Sequence, residues 1–179
     1  LTDKNGRFFD PEYASQNQEY INHIKSTIEN VDNALSKSEL TDDITTYRYV
    51  SSGYADTVLK PAIGKTILNK NYIYTSASED VAKNAADGRG AYMTITVPKG
   101  VKGIDMDSFT TGDMLENEVL LERNLQMTIK DHKVLDNGMD WFNVVIEKPL
   151  SKQNEAYLDE VGDFIKLNYK CEFNGTDYK

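Results

Sequence analysis

The sequence predicts an α+β fold: a helical N-terminal lobe followed by a mostly antiparallel, strand-rich core. Three observations carry that expectation. Apolar residues early in the chain recur at helical spacing, the pattern changes to short β-prone runs after Thr45, and Gly, Asn and Asp punctuate those runs.

In the helical lobe, Tyr20, Ile21, Ile24, Ile28, Val31 and Leu35 stand three or four residues apart and form one apolar stripe. Asp10-Pro11 has the chemistry of a helix start, an N-cap followed by proline at the first helical position. A second short helix is expected over residues 38–44. The β-prone runs are 46–50, 66–69, 72–75, 91–97, 119–121, 126–135 and 141–147, with a helix over 79–86 between them. Asp136-Asn137-Gly138 is a hairpin turn by composition, because Asn-Gly tolerates positive φ at both central positions. Beyond Pro149 the chain turns polar, with one more helix expected near residues 154–165. The resulting plan is a helical lobe over 1–44, a core over 45–150 and an appendage over 151–179, all within a single structural domain.

A length of 179 residues suits one domain with a real hydrophobic core. The net charge of −9, from 29 acidic and 20 basic residues, argues against nucleic acid and against anionic membranes, which both call for a basic face. Cys171 is the only cysteine, so no internal disulfide or CxxC metal site forms. His23 and His132 lack the i, i+4 spacing of a zinc helix, and no stretch is apolar enough to span a bilayer as a helix. The opening Leu1-Thr2-Asp3-Lys4-Asn5-Gly6 has no signal-peptide character. Eleven tyrosines suit a ligand cleft as well as a plain strand surface.

Three short pieces carry chemistry. In Glu116-Asn117-Glu118-Val119-Leu120-Leu121, an extended backbone would project Glu116 and Glu118 to the same face, where mutual repulsion separates their pKa values. The bland reading is a solvated edge strand. In Tyr72-Ile73-Tyr74-Thr75-Ser76-Ala77-Ser78, hydroxyls follow an apolar strand; they can orient a carboxylate, or Ser78 can simply cap the helix at Glu79. In Thr46-Tyr47-Arg48-Tyr49-Val50, an inward guanidinium needs an anionic partner such as a phosphate, whereas an outward one stacks on tyrosine.

In this order the pieces resemble the R-S-E class of mono-ADP-ribosyltransferase toxin domains, which includes binary toxins and exoenzymes. The resemblance runs over roughly residues 45–148, and Ala91-Tyr92-Met93-Thr94-Ile95-Thr96-Val97-Pro98-Lys99-Gly100 is similar to the family's central strand and turn. It implies the helical lobe packed on a mostly antiparallel, two-sheet ADP-ribosyltransferase core. It also implies NAD as a substrate, no metal, and transfer to an arginine of a target protein with release of nicotinamide. Glu118 would stabilise the ribosyl cation and Glu116 would deprotonate the acceptor, Glu at that position going with arginine in the family. Arg48 would grip phosphate, Ser76 would position Glu118 and the ribose, and Ser78 would join the contacts to NAD. Arg89, between two glycines, is a phosphate ligand or a solvated loop arginine. Phe109 would be the exposed aromatic of the recognition turn. The family's Ser-Thr-Ser reads here as Ser76-Ala77-Ser78, or in another register with Thr75-Ser76 at its centre. The usual nicotinamide-stacking ring is absent between Thr75 and Ala91 unless Tyr92 serves.

The partners so implied are a target protein, with actin one candidate, and a larger parent or delivery protein, with action in a target-cell cytosol after secretion or delivery. An NAD glycohydrolase and a non-catalytic binding module on the same fold are the rival readings. Asp105-Met106-Asp107 with Glu116 imitates an EF-hand calcium loop, but lacks its central ligand and turn glycine.

Overall fold

The computed structural model describes residues 17–87, 90–109 and 117–147, all within the unit spanning residues 1–147. The helix start read at Asp10-Pro11 and the segment beyond residue 147 lie outside these residues. Helix α1 (Gln18–Leu35) turns Ile24, Ile28, Val31 and Leu35 inward, with Leu35 buried, whereas Tyr20 of the same stripe is 53% exposed near the helix start. A polar latch ties it to the core. Asp32 takes charge-assisted hydrogen bonds from Arg123 at 2.7 and 3.0 Å, and the Tyr72 hydroxyl at 2.7 Å. The Arg123 hydrogen bond holds the Asp32 carboxyl below its usual range, while burial, reinforced by Asp32, pushes the Tyr72 phenol up to about 12.

Residues 38–44 do not form the expected second helix. Glu39 bridges to Lys102, Leu40 N–H donates to Val101 O at 2.9 Å, and Asp43 accepts Lys99 N–H at 2.8 Å. Ser, Thr and Asp offer the backbone such alternatives to a helix, and pairing with the distant 99–103 segment wins over weak local propensity.

Eight strands follow: β1 (Ile44–Ser51), β2 (Thr66–Asn69), β3 (Ile73–Ser76), β4 (Gly90–Val97), β5 (Gly103–Asp105), β6 (Glu118–Leu121), β7 (Leu125–Val134) and β8 (Asp140–Ile146). Helix α2 (Glu79–Ala86) links β3 to β4. A helical passage over residues 52–62, unforeseen from the sequence, links β1 towards β2. The strands hydrogen-bond in the order β2-β7-β8-β4-β1-β3-β6-β5, and only the β4–β8 pair is parallel. Where two sheets were expected, this is one continuous ladder. The β1–β3 join is a single pair, Tyr47↔Ser76, so the two halves are linked through a narrow seam.

Ile73, Met93, Ile95, Val97, Leu121, Ile129, Phe142, Val144 and Ile146 form the main core. On another side of the sheet Ala82 and Ala86 of α2 pack on Tyr92, with Tyr47, Tyr49 and Trp141 around them. Small residues on α2 let the helix sit close to these rings, and this contact roofs the seam. Lys60, in the helical passage, pairs with Asp140 at 2.9 Å, and His132 Nε2 lies 2.6 Å from the same carboxylate, which makes His132 part of a structural tie.

The β7–β8 hairpin turns at Asp136-Asn137-Gly138 as expected, but not with two positive φ angles. Of these residues Gly138 alone has positive φ (81°), and its N–H donates to Leu135 O at 2.8 Å. This is the three-residue loop closed by a left-handed glycine.

Gly90 opens β4 where it runs against the end of β1. A Cβ there would stand 2.3 Å from Val50 O and 3.0 Å from Ser52 N, both backbone atoms that cannot swing away. Gly90→Ala is therefore expected to destabilise by at least about 1–3 kcal/mol, read as several degrees' fall in Tm. Gly53→Ala, at a glycine with nothing within 4 Å, is the matched control and should leave Tm nearly unchanged.

Candidate functional site

The strand register assembles the site. Tyr47 on β1 opposes Ser76 on β3, and Ser76 opposes Glu118 on β6. Directly opposed residues project to the same face, so Ser76 and Glu118 lie side by side. Arg48, one residue on from Tyr47, alternates to the other face of β1, so its place at the cleft does not follow from this register. A cleft of about 270 Å³ runs along this seam, lined by Tyr47, Arg48, Tyr49, Tyr74, Thr75, Ser76 and Glu118, with Val81, Ala82 and Ala85 of α2 as its apolar wall. Arg48, Ser76 and Glu118, 70 residues apart from first to last, all line this cleft.

Arg48 is half-buried, and burial lowers its pKa, opposed only by the nearby Tyr54. Among the described residues no carboxylate is within ion-pair distance of it. A guanidinium held partly out of water without a counter-charge can receive an anion, and its planar fork suits bidentate contact with a phosphate. The Glu118 side chain, also half-buried, likewise has no hydrogen-bond partner among the described residues. Its backbone is firmly held: Met106 N–H donates to Glu118 O at 2.8 Å, and Glu118 N–H donates to Asp107 Oδ1 at 3.2 Å.

The structure places the serine motif at the end of β3 and the start of α2. Thr75 and Ser76 are buried in β3: Thr75 Oγ1 donates to Val119 O at 2.8 Å, and Ser76 Oγ accepts Ser78 N–H at 2.9 Å. Ser78 sits at the start of α2, makes no side-chain cap hydrogen bond and is not among the cleft-lining residues.

Tyr92 does not reach the cleft. It is 3% exposed beneath α2, and its hydroxyl donates to Glu79 at 3.2 Å, so it presents no free ring face. The rings at the cleft are Tyr47, Tyr49 and Tyr74, the last 55% exposed. In the sequence Tyr74 is the aromatic two residues ahead of Ser76, with no ligand role assigned to it. The signal was present in the alternation of β3, which faces Ile73 and Thr75 one way and Tyr74 and Ser76 the other. Phe109 is 74% exposed at the end of a tight turn, Asp107–Phe109. Arg89 and Glu116 lie outside the described residues. The same-face argument for Glu116 and Glu118 does not apply in its simple form, because β6 begins only at Glu118. Asn117 has a φ of 49°, the left-handed region that Asn tolerates better than most residues.

In chemical terms the cleft offers a carboxylate for a developing cation, a buried hydroxyl beside it, and a cation for an anionic group. Among the described residues no helix is long and apolar enough to cross a membrane.

Known proteins share this fold. A curated relative, the NAD(+)–arginine ADP-ribosyltransferase EFV of Enterococcus faecalis, is 29% identical over 118 residues, which cover 66% of this chain and 23% of the relative. The chain therefore spans less than a quarter of that protein's length. The structure superposes on an ADP-ribosyltransferase from Clostridium botulinum with a TM-score of 0.60 and 21% identity, over 80% of each chain. It superposes on an S. aureus protein solved with NAD with a TM-score of 0.59 and 20% identity, over 72% of this chain and 73% of that one. These two likenesses are of fold. The model of the ADP-ribosyltransferase exoenzyme family matches residues 12–153, a span that takes in every strand of the sheet and the whole seam, and the chain belongs to that family.

Proposed function

We propose that this chain cleaves NAD and transfers its ADP-ribose to an arginine of a target protein. The observation that carries the reading is the convergence of Arg48, Ser76 and Glu118 on one cleft. Family membership, the NAD in the S. aureus neighbour and the arginine in the E. faecalis relative's name support it.

The bond from nicotinamide nitrogen to ribose C1′ breaks with its electron pair, which leaves neutral nicotinamide and a cationic sugar. Glu118 stabilises that cation, as carboxylates do in glycoside hydrolysis. Ser76 lines the ribose end, and Arg48 holds the phosphates. With Tyr92 buried, the exposed ring of Tyr74 is the stacking surface for the nicotinamide end. A guanidinium nitrogen of the acceptor then bonds to C1′ and loses a proton to Glu116. Arg89 adds a phosphate contact, and Phe109 meets the target protein. The chain acts as a toxin domain inside a target cell, with actin the first target to test.

The test is to incubate the chain with adenylate-labelled NAD and agmatine, measuring released nicotinamide and labelled agmatine together, and then to repeat the labelling in host-cell and bacterial lysates. Nicotinamide release with transfer to agmatine supports the reading. Release without transfer to any acceptor makes the chain a glycohydrolase, and no release sinks the assignment. Glu116→Gln should keep nicotinamide release within about threefold while transfer to agmatine falls by about 10² or more, the usual worth of a general base. Equal loss of both activities would overturn the division of labour between the two glutamates.

A further inference from the structure

The hydrogen bonds that fix the head of β6 come from a turn just past β5. The β5–β6 ladder ends with Asp105 opposite Val119. One step on, Met106 N–H reaches Glu118 O at 2.8 Å. Glu118 N–H then stands at the end of the ladder with no strand partner on that side. Asp107 Oδ1 accepts it at 3.2 Å. Asp107 is itself braced, since its N–H donates to Asp105 Oδ1 at 3.0 Å and Ser108 Oγ donates to Asp105 Oδ2 at 2.9 Å. Phe109 N–H closes the turn onto Met106 O at 3.0 Å. On the β3 side, Ala77 N–H holds Asn117 O at 2.7 Å, just where the backbone passes through its left-handed residue.

We propose that Asp107 is a positioning residue for Glu118. Its carboxylate caps the frayable head of β6 and keeps the Glu118 side chain beside Ser76. This rests on the reading of Glu118 as the group that stabilises the ribosyl cation. The two-residue spacing of Asp105 and Asp107, which imitates a calcium loop in the sequence, serves here as a pair of backbone and hydroxyl acceptors in series. Removing the Asp107 acceptor leaves one N–H unpaired at the partly buried head of the strand. The left-handed Asn117 is then held from one side only. A displacement near 1 Å at a reacting group costs about 10²-fold in rate, so a short strut can govern turnover without touching substrate.

The experiment compares Asp107→Ala, Asp107→Asn and Asp107→Glu in the full chain, by steady-state nicotinamide release and by hydrogen exchange at the Glu118 amide. Asp107→Ala should lower kcat about 10–100-fold with KM for NAD within about twofold, and speed Glu118 amide exchange about tenfold. Asp107→Asn keeps an Oδ1 acceptor in place, so both quantities should stay within about threefold of wild type. Asp107→Glu keeps the charge but moves the acceptor by one methylene, so its kcat should fall between the other two; it carries the test if the alanine variant does not fold. The proposal is overturned if Asp107→Ala, or Asp107→Glu in its place, matches wild type in kcat and exchange. It is equally overturned if Asp107→Asn loses as much as the others, which would make charge rather than the acceptor the cause. Should the wild-type chain release no nicotinamide, the function reading fails. The exchange measurement then still decides whether Asp107 holds Glu118.

Discussion

Glu118→Gln lowers nicotinamide release from NAD by about 10³-fold while Tm moves by no more than about 2 °C. The amide has the shape of the carboxylate, so the substitution removes charge and little else. The backbone of Glu118 is held by Met106, by Asp107 and by the register with Ser76, none of which depends on its side chain. Among the described residues no hydrogen bond or ion pair uses the Glu118 carboxylate in the resting protein, so its loss breaks no folding contact. Its interaction with substrate grows only as positive charge develops on the ribose, and such interactions appear in kcat rather than in KM. Initial rates of nicotinamide release set beside a thermal melt give both readings. A variant that turns over within threefold of wild type would remove Glu118 from the chemistry.

Arg48→Met raises the dissociation constant for NAD by about 10–100-fold and leaves Tm unchanged or slightly higher. A charge-assisted hydrogen bond is worth about 1.5–3 kcal/mol, which sets the size of the affinity loss. The sign of the stability change follows from burial. Loss of solvent is the larger influence on the Arg48 guanidinium and disfavours its charged form, with Tyr54 offsetting only part of the effect. The guanidinium stays protonated at neutral pH regardless, so the folded protein bears the cost of a half-buried cation until an anion arrives. An apolar side chain of similar length relieves that cost and keeps the packing of the stem. Arg48→Lys retains charge without the planar fork and should lose part of the affinity. Calorimetric titration with NAD together with a melt separates the outcomes. A Tm several degrees lower with unchanged NAD affinity would make Arg48 a structural residue.

Much of this site is legible before folding. The stripe in α1 predicts its buried face, the run 79–86 coincides with α2, and the apolar runs 66–69 and 91–97 coincide with β2 and most of β4. Local periodicity is enough there, because each element buries one face whatever its partner. The pieces around Arg48, Ser76 and Glu118 carry their side-chain types and order openly. Less legible is what depends on neighbours distant in sequence. Residues 38–44 lose their helix to pairing with 99–103, and three-residue β5 has too little pattern to announce itself. Tyr92 reads like any strand tyrosine until α2 covers it.

The sequence by itself determined the chemistry available: a guanidinium between tyrosines, hydroxyls after an apolar strand, a glutamate ahead of Val-Leu-Leu. Side-chain type is a property of each residue, and spacing along one strand is a local property. Only the tertiary structure decided that these groups line one cleft, which tyrosines stand at it, and how the Glu118 backbone is braced. The reason is the strand order. β1 pairs with β3 at one residue pair and β3 with β6 along its length, although these strands are not consecutive in the chain. That order is set by burial of a common core rather than by any short stretch of sequence.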